Sequence, residues 1–271
     1  MNILVCIKQV PDTTEIKIDP VTNTLIRAGV PSIVNPFDAY ALEIAARIKD
    51  VTPGTKITLL SMGPDQAKAA LKECLAVGGD KAYLVSDRAF GGADTLATSY
   101  TLKTAIEKLE ETEGRFDIIF CGKQAIDGDT AQIGPELAQQ LQIPHIVDVT
   151  EIIEIDERHI VCRKATDCGS QMVEMELPGL ITVAKDINMP RLASIKGVRK
   201  SLSAPLSVYT AQQVGGDVGR LGLQGSPTQV VKTYTPQKTR ECVFWPGETK
   251  EQTQKMISLL KKEKLLAEER A

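Results

Sequence analysis

Four times in the first part of this chain, a short apolar run gives way to a polar break and then to apolar residues at helical spacing. The runs are Ile3 to Ile7, Ile57 to Leu60, Ala82 to Val85 and Ile118 to Cys121. A short apolar run without alternation is what a strand buried on both faces shows. The helical segments begin at Asn35-Pro36, Ala67, Thr95 and near Thr130. At the first of these, Asn is a good cap and Pro suits the first helical position. Apolar positions then continue through Tyr40, Ile44 and Ile48, through Leu96, Tyr100 and Leu102, and through Ile133, Leu137 and Leu141. This alternation predicts βαβ units, a parallel sheet and right-handed crossovers. Glu15 to Asp19 and Leu25-Ile26, around a turn at Pro20 to Asn23, predict a hairpin inserted after the first strand.

In such a sheet the loops at the carboxyl ends of the strands share one edge, and ligands bind there at the topological switch point. Four loops converge: Cys6 to Gln9, Ser61 to Pro64, Ser86 to Asp94 and Gly122 to Gln132. The last lies in the most informative stretch, Ile118 to Leu141: strand, Gly-bearing loop with Asp127 and Asp129, then a helix with Thr130 as its expected N-cap. Taken alone it reads equally as a phosphate site on helix N–H groups or as an ordinary βα turn. The convergence of the four loops favours a nucleotide site. No stock phosphate motif is present. The Gly215 to Gly222 run lacks G-x-G-x-x-G spacing and has no strand before it. Gly91-Gly92-Ala93-Asp94-Thr95 approaches the loop of ATP pyrophosphatases, but Phe90 stands where that motif has Ser, and the loop follows the third strand.

A net charge of −3 with pI ≈ 5.6 points to neither nucleic acid nor an anionic membrane. No apolar run has the length of a membrane span. The six cysteines form no C-x-x-C pair, and two histidines in unrelated segments supply neither a zinc site nor a Ser-His-Asp set, so neither a metal site nor a catalytic residue is assigned. Met1 leads straight into a strand, and the thiols read as reduced, so the expected compartment is the cytoplasm. Beyond Ile146, alternating segments at 147–156, His159 to Arg163 and Gln171 to Leu177 predict a small antiparallel addition, followed by an apolar strand at Leu180 to Ala184. After Pro190 regular pattern thins out. Residues 1–190 are expected to form the α/β domain. Residues 191–271 are expected to form a loop and an arm lying on a partner, with Thr249 capping an amphipathic helix from Lys250 to Leu266.

G-K-Q-A-I-D-G-D-T-A-Q at 122–132 resembles the nucleotide loop of electron transfer flavoprotein beta subunits. The resemblance extends along nearly the whole chain, through L-V-C-I-K-Q-V at 4–10, N-P-F-D-A-Y at 35–40, L-S-M-G-P at 60–64, L-P-G-L-I-T-V at 177–183 and M-P-R-L-A-S-I-K at 189–196. It departs at Asp167-Cys168-Gly169, where the family has an acidic residue followed by two Gly. The resemblance implies a Rossmann-like fold, a heterodimer with an alpha subunit carrying its own FAD, and a C-terminal arm around that partner. It implies nucleotide contacts at Cys6, Asn35, Pro36, Phe37, Asp38, Met62, Gly122, Lys123, Gln124, Ala125, Ile126, Asp127, Gly128, Asp129, Thr130, Ala131, Gln132 and Ile133. It also implies a docking loop for an acyl-CoA dehydrogenase, with Arg191, Ile195 and Lys196, Ile195 being the aliphatic anchor. Small residues at Gly128 and Ala131 favour FAD over AMP, and with it NADH oxidation and electron bifurcation to ferredoxin or flavodoxin. Thr130 and Gln132 would donate to the pyrophosphate, while Asp127 would cap the helix or meet a hydroxyl. Gly91, Gly92, Ala93, Asp94 and Thr95 are the expected seat of the NADH pyrophosphate.

Overall fold

Apolar runs too short for helices can be buried only as strands, and here they form the middle of a single sheet. The computed structural model describes residues 1–12, 31–231 and 242–266. The chain divides into two compact units, Met1–Val231 and Lys232–Ala271. In the first, the elements run β1 (Asn2–Cys6), β2 (Gln9–Pro11), β3 (Ser32–Val34), α1 (Pro36–Val51), β4 (Lys56–Met62), α2 (Lys68–Val77), β5 (Lys81–Val85), α3 (Thr95–Glu113), β6 (Ile118–Gly122) and α4 (Ile133–Leu141). They continue with β7 (His145–Ile155), β8 (His159–Thr166), β9 (Gly169–Glu176), β10 (Gly179–Val183), α5 (Ile195–Ser201), β11 (Leu206–Tyr209) and α6 (Ala211–Val214).

The nine-stranded sheet has the order β11-β5-β4-β1-β6-β10-β7-β8-β9. It is parallel from β11 to β7, and β7, β8 and β9 form an antiparallel meander at one edge. This is the α/β sheet with a small antiparallel addition that the alternation predicted. Side chains of a strand point alternately to its two faces. Ile3 and Val5 therefore pack toward Ala41, Ala45 and Leu71 of α1 and α2, whereas Leu4 packs toward Ile106, Leu109 and Leu137 of α3 and α4. The β8–β9 hairpin closes through Asp167-Cys168, and Gly169 takes φ 139°, a conformation that glycine reaches without steric cost.

Two expectations need correction, and a third lies outside the described residues. The change of texture at 190 is not a structural boundary, because the first unit runs on to Val231. Within 191–231, α5 packs on α2, β11 pairs with β5, and Val214 and Leu221 enter the α3/α4 core. The hairpin expected over 15–26 lies outside the described residues, although β2 and β3 on either side of it pair antiparallel. In the second unit α7 (Thr249–Lys262) starts after Glu248, and Thr249 is not its cap. The amphipathic pattern is real, but no α7 side chain is buried, and Met256, Ile257 and Leu259 remain partly in solvent. No helix among the described residues is long and apolar enough to cross a membrane.

Candidate functional site

From β1 the sheet extends to β4 and β5 on one side and, across the return crossover, to β6 on the other. The carboxyl ends of β1 and β6 therefore flank the switch point, where an α/β sheet leaves a crevice for a ligand. The loops leaving these ends are stitched together by the start of α1. Asp38 accepts the Lys8 N–H at 2.7 Å and the Gly122 N–H at 3.2 Å. Burial pushes its carboxyl up to about 7, against the pull of those two amides. Asn35 occupies the N-cap position of α1 but makes no side-chain cap. Its amide instead donates to the Gln124 carbonyl at 2.9 Å, and its oxygen accepts the Ile126 N–H at 3.3 Å. Pro36 follows as the first helical residue. A Cβ on Gly122 would sit 2.6 Å from Phe37 Cβ and 2.7 Å from the Phe37 carbonyl carbon, so only glycine lets the strand end approach the helix this closely.

The loop after β6 is shaped by two residues in the left-handed region, Asp129 at φ 51° and Ala131 at φ 54°. The Gly128 and Asp129 N–H groups turn back to the Ala125 carbonyl. This bend delays α4, which starts at Ile133 with Gln132 in the cap position, so Thr130 does not cap it. Asp127 does not cap the helix either. Its side chain, 7% exposed, pairs with Lys8 Nζ at 2.5 Å rather than with the helix. The Gln124 amide holds Asp129 at 2.8 Å, and Lys123 pairs with Asp148 at 2.8 Å. Both loop carboxylates are therefore engaged, while Gly128, with no atom within 4 Å of an added Cβ, Thr130 and Gln132 stay open to solvent. Cys6, at the end of β1, and Met62, at the end of β4, pack at the margin of the α3/α4 core. The lysine and the carboxylate it holds are 119 residues apart. Their only local signal was a basic residue just past a strand end.

The loop before α3 lies at the same sheet edge. Asp94 caps α3, accepting the Ala97 N–H at 3.0 Å. Segment 222–228 is laced to it. Leu223 N–H donates to the Gly91 carbonyl at 3.0 Å, Asp94 N–H donates to Ser226 Oγ at 2.8 Å, and Thr228 Oγ1 donates to the Asp94 carboxylate at 2.8 Å. The Gly91 N–H is spent on the Arg88 carbonyl. Of the backbone donors expected for pyrophosphate, those of Gly92 and Ala93 remain. Thr95 donates to Glu136 of α4 at 3.0 Å; the other carboxylate oxygen of Glu136 is buried without a partner among the described residues, and burial pushes this carboxyl up.

In the 189–202 segment, Ile195 is 92% exposed, with Met189, Leu192 and Leu202 also in solvent. Lys196 is exposed. Arg191 is not a free cation. It clasps the buried Glu43 at 2.8 Å and Asp50 at 2.8 Å, which ties the segment to α1. Among the described residues, no group of three or more His, Cys, Asp or Glu is placed to hold a metal ion.

Comparison with known proteins bears on this arrangement. The family described as the electron transfer flavoprotein domain matches residues 22–214. The electron transfer flavoprotein subunit beta of Thermoanaerobacterium thermosaccharolyticum is 49% identical over 261 residues, covering 96% of this chain and 98% of that one. The subunit of the same name from Megasphaera elsdenii is 52% identical over 238 residues, covering 87% of this chain and 88% of the other. Subunit CarD of the caffeyl-CoA reductase-Etf complex of Acetobacterium woodii is 48% identical over 236 residues, with 87% and 88% covered.

Proposed function

The chain belongs to the electron transfer flavoprotein family as a beta subunit, and from that premise we propose that the crevice between β1 and β6 holds FAD which NADH reduces. As a beta subunit it works with an alpha subunit. The observation that carries the FAD reading is the state of the loop after β6. Its two carboxylates are neutralised or held aside by Lys8 and Gln124, so they do not oppose a pyrophosphate. Its open positions are a glycine, a threonine and a glutamine. In this reading Thr130 and Gln132 donate to the phosphates. Asn35 and Asp38 act through the loops they hold, and Gly122 sets the width of the crevice.

Bound there, FAD would supply a hydride acceptor for NADH and a branch point for electrons toward ferredoxin or flavodoxin and, by way of the alpha subunit, toward an acyl-CoA dehydrogenase. The amides of Gly92 and Ala93 meet the NADH pyrophosphate at the rim formed by segment 222–228. The exposed Ile195, on a segment clamped by Arg191 and flanked by Lys196, is the anchor for the dehydrogenase. The name of the Acetobacterium woodii relative, which places that protein in a complex with a CoA-ester reductase, supports the same assignment here.

Acid extraction of the purified heterodimer tests the reading. FAD in twofold molar excess over complex, with absorbance bleached by NADH, is the expected result. One FAD with one AMP, or flavin that NADH leaves oxidised, overturns it. The rim assignment has its own test: Ala93→Asp raises the Kd for NADH and leaves flavin content unchanged. Equal NADH affinity would remove this loop from the site.

A further inference from the structure

β1 and β6 are neighbouring parallel strands, with Leu4 beside Ile119 and Val5 beside Phe120. Carried one residue further, this register sets Cys6 beside Cys121. Leu4 and Ile119 point into the α3/α4 core, and residues two apart on a strand share a face. Cys121 is buried in that core, and Cys6, partly exposed, packs at its margin. The two thiols therefore lie side by side on one face of the sheet. Adjacent strands lie ~4.8 Å apart, inside the ~4.4–6.8 Å Cα separation that a disulfide spans.

The two sulfurs differ in environment. The contact with Cys6, together with burial, pushes the Cys121 thiol well up, so it keeps its proton. Cys6 is partly accessible at the sheet edge, whereas Cys121 is buried. A partly accessible thiol in such surroundings attacks; a buried thiol in contact with it resolves.

We infer that Cys6 and Cys121 form a peroxide-responsive dithiol, in which Cys6 attacks and Cys121 resolves. The Cys6 thiolate attacks one oxygen of hydrogen peroxide and the O–O bond breaks. Cys6 becomes a sulfenic acid, and the departing hydroxide takes a proton to form water. The Cys121 sulfur then attacks the Cys6 sulfur. The S–S bond forms, the S–O bond breaks, and the Cys121 proton leaves with the hydroxide as a second water. Two electrons pass from the two thiols to the peroxide. The new bond joins the strand ends just before Lys8 and Gly122, the two points that Asp38 holds, so oxidation locks the floor of the crevice.

The experiment uses the full-length chain purified with its partner subunit. It is pulsed with hydrogen peroxide, quenched with N-ethylmaleimide and mapped by peptide mass spectrometry. A peptide pair joining Cys6 to Cys121 is expected, in excess on the order of tenfold over any linkage through the exposed Cys168 or Cys242. Cys121→Ser stops at a Cys6 sulfenic acid that dimedone traps. Cys6→Ser leaves Cys121 unmodified at the same dose. Oxidation of Cys168 without any Cys6–Cys121 linkage overturns the inference, and so does Cys121 oxidised as fast in Cys6→Ser as in the parent. The parent's own peptide map decides the matter even where a variant fails to fold.

Discussion

Gly122→Ala tests whether the crevice depends on the close approach of β6 to α1. The added methyl would lie 2.5 Å from Asp38 Oδ1, 2.6 Å from Phe37 Cβ and 2.7 Å from the Phe37 carbonyl carbon. Two of these atoms are a backbone carbon and a β-carbon, which no rotamer change can move away. Overpacking of this kind costs about 1–3 kcal/mol. Relief by separating the elements breaks the Gly122 N–H bond to Asp38, worth about 1 kcal/mol more. The sum, about 2–4 kcal/mol, corresponds to a melting temperature lower by roughly 5–15 °C in a unit of this size. The assay is calorimetry of the heterodimer together with nucleotide content after desalting, which should also fall, because Asn35 and Asp38 no longer hold both loops in register. Gly128→Ala, in the same loop, is the control. No atom lies within 4 Å of its added methyl, so its effect stays within about 0.5 kcal/mol. A Gly122→Ala protein that melts within 1 °C of the parent (~1 °C being below the shift of a single lost hydrogen bond) would refute the reasoning. So would a Gly128→Ala protein that loses as much stability.

Three further outcomes follow from other contacts. Ile195→Ala leaves flavin content unchanged and sharply slows electron transfer to the dehydrogenase; an unchanged transfer rate removes this residue from docking. Between the ordinary aspartate range and about 7, the folded chain binds a proton on Asp38 that the unfolded chain lacks, so this group's contribution to stability falls as pH rises through about 7. Urea midpoints at pH values on either side of 7 should show that loss in the parent and not in Asp38→Asn; equal slopes in both would sink the assignment. Truncation after Val231 keeps β11, Val214 and Leu221 and should still melt cooperatively, whereas truncation after Lys200 removes all three and should lower the melting temperature by several degrees. Equal melting temperatures would mean that β11 adds nothing to the sheet.

What was legible in the chain was what local pattern encodes. β1, β4, β5 and β6 are uninterrupted apolar runs, and α1 to α4 carry helical spacing, so the order of elements and the edge where their loops meet could be read directly. Contacts between distant residues were hidden. Lys8 and Asp127 sit in separate loops, and nothing near either one signals the other. Asn35 has the sequence signature of a cap, yet its amide is diverted to the loop after β6, where it pairs with the Gln124 carbonyl and the Ile126 N–H, two partly buried backbone groups. Thr130 fails as a cap because Asp129 and Ala131 turn the backbone before the helix can begin. β11 has only four residues in a stretch rich in Gly, Pro and Ser, too short for any periodicity to show. It becomes a strand because β5 offers an open edge.

The clasp of Arg191 on Glu43 and Asp50 has a kinetic consequence. A segment that presents isoleucine, leucine and methionine to water would, if slack, fold its own apolar side chains together and have to be reordered at each encounter. Clamped to α1, it would meet the dehydrogenase proposed above already in shape, so little conformational entropy would be lost on contact. The exposed apolar cluster is small, too little surface for a long-lived complex. A stiff stem with a small tip would give rapid capture and equally rapid release, as the proposed handover of electrons requires.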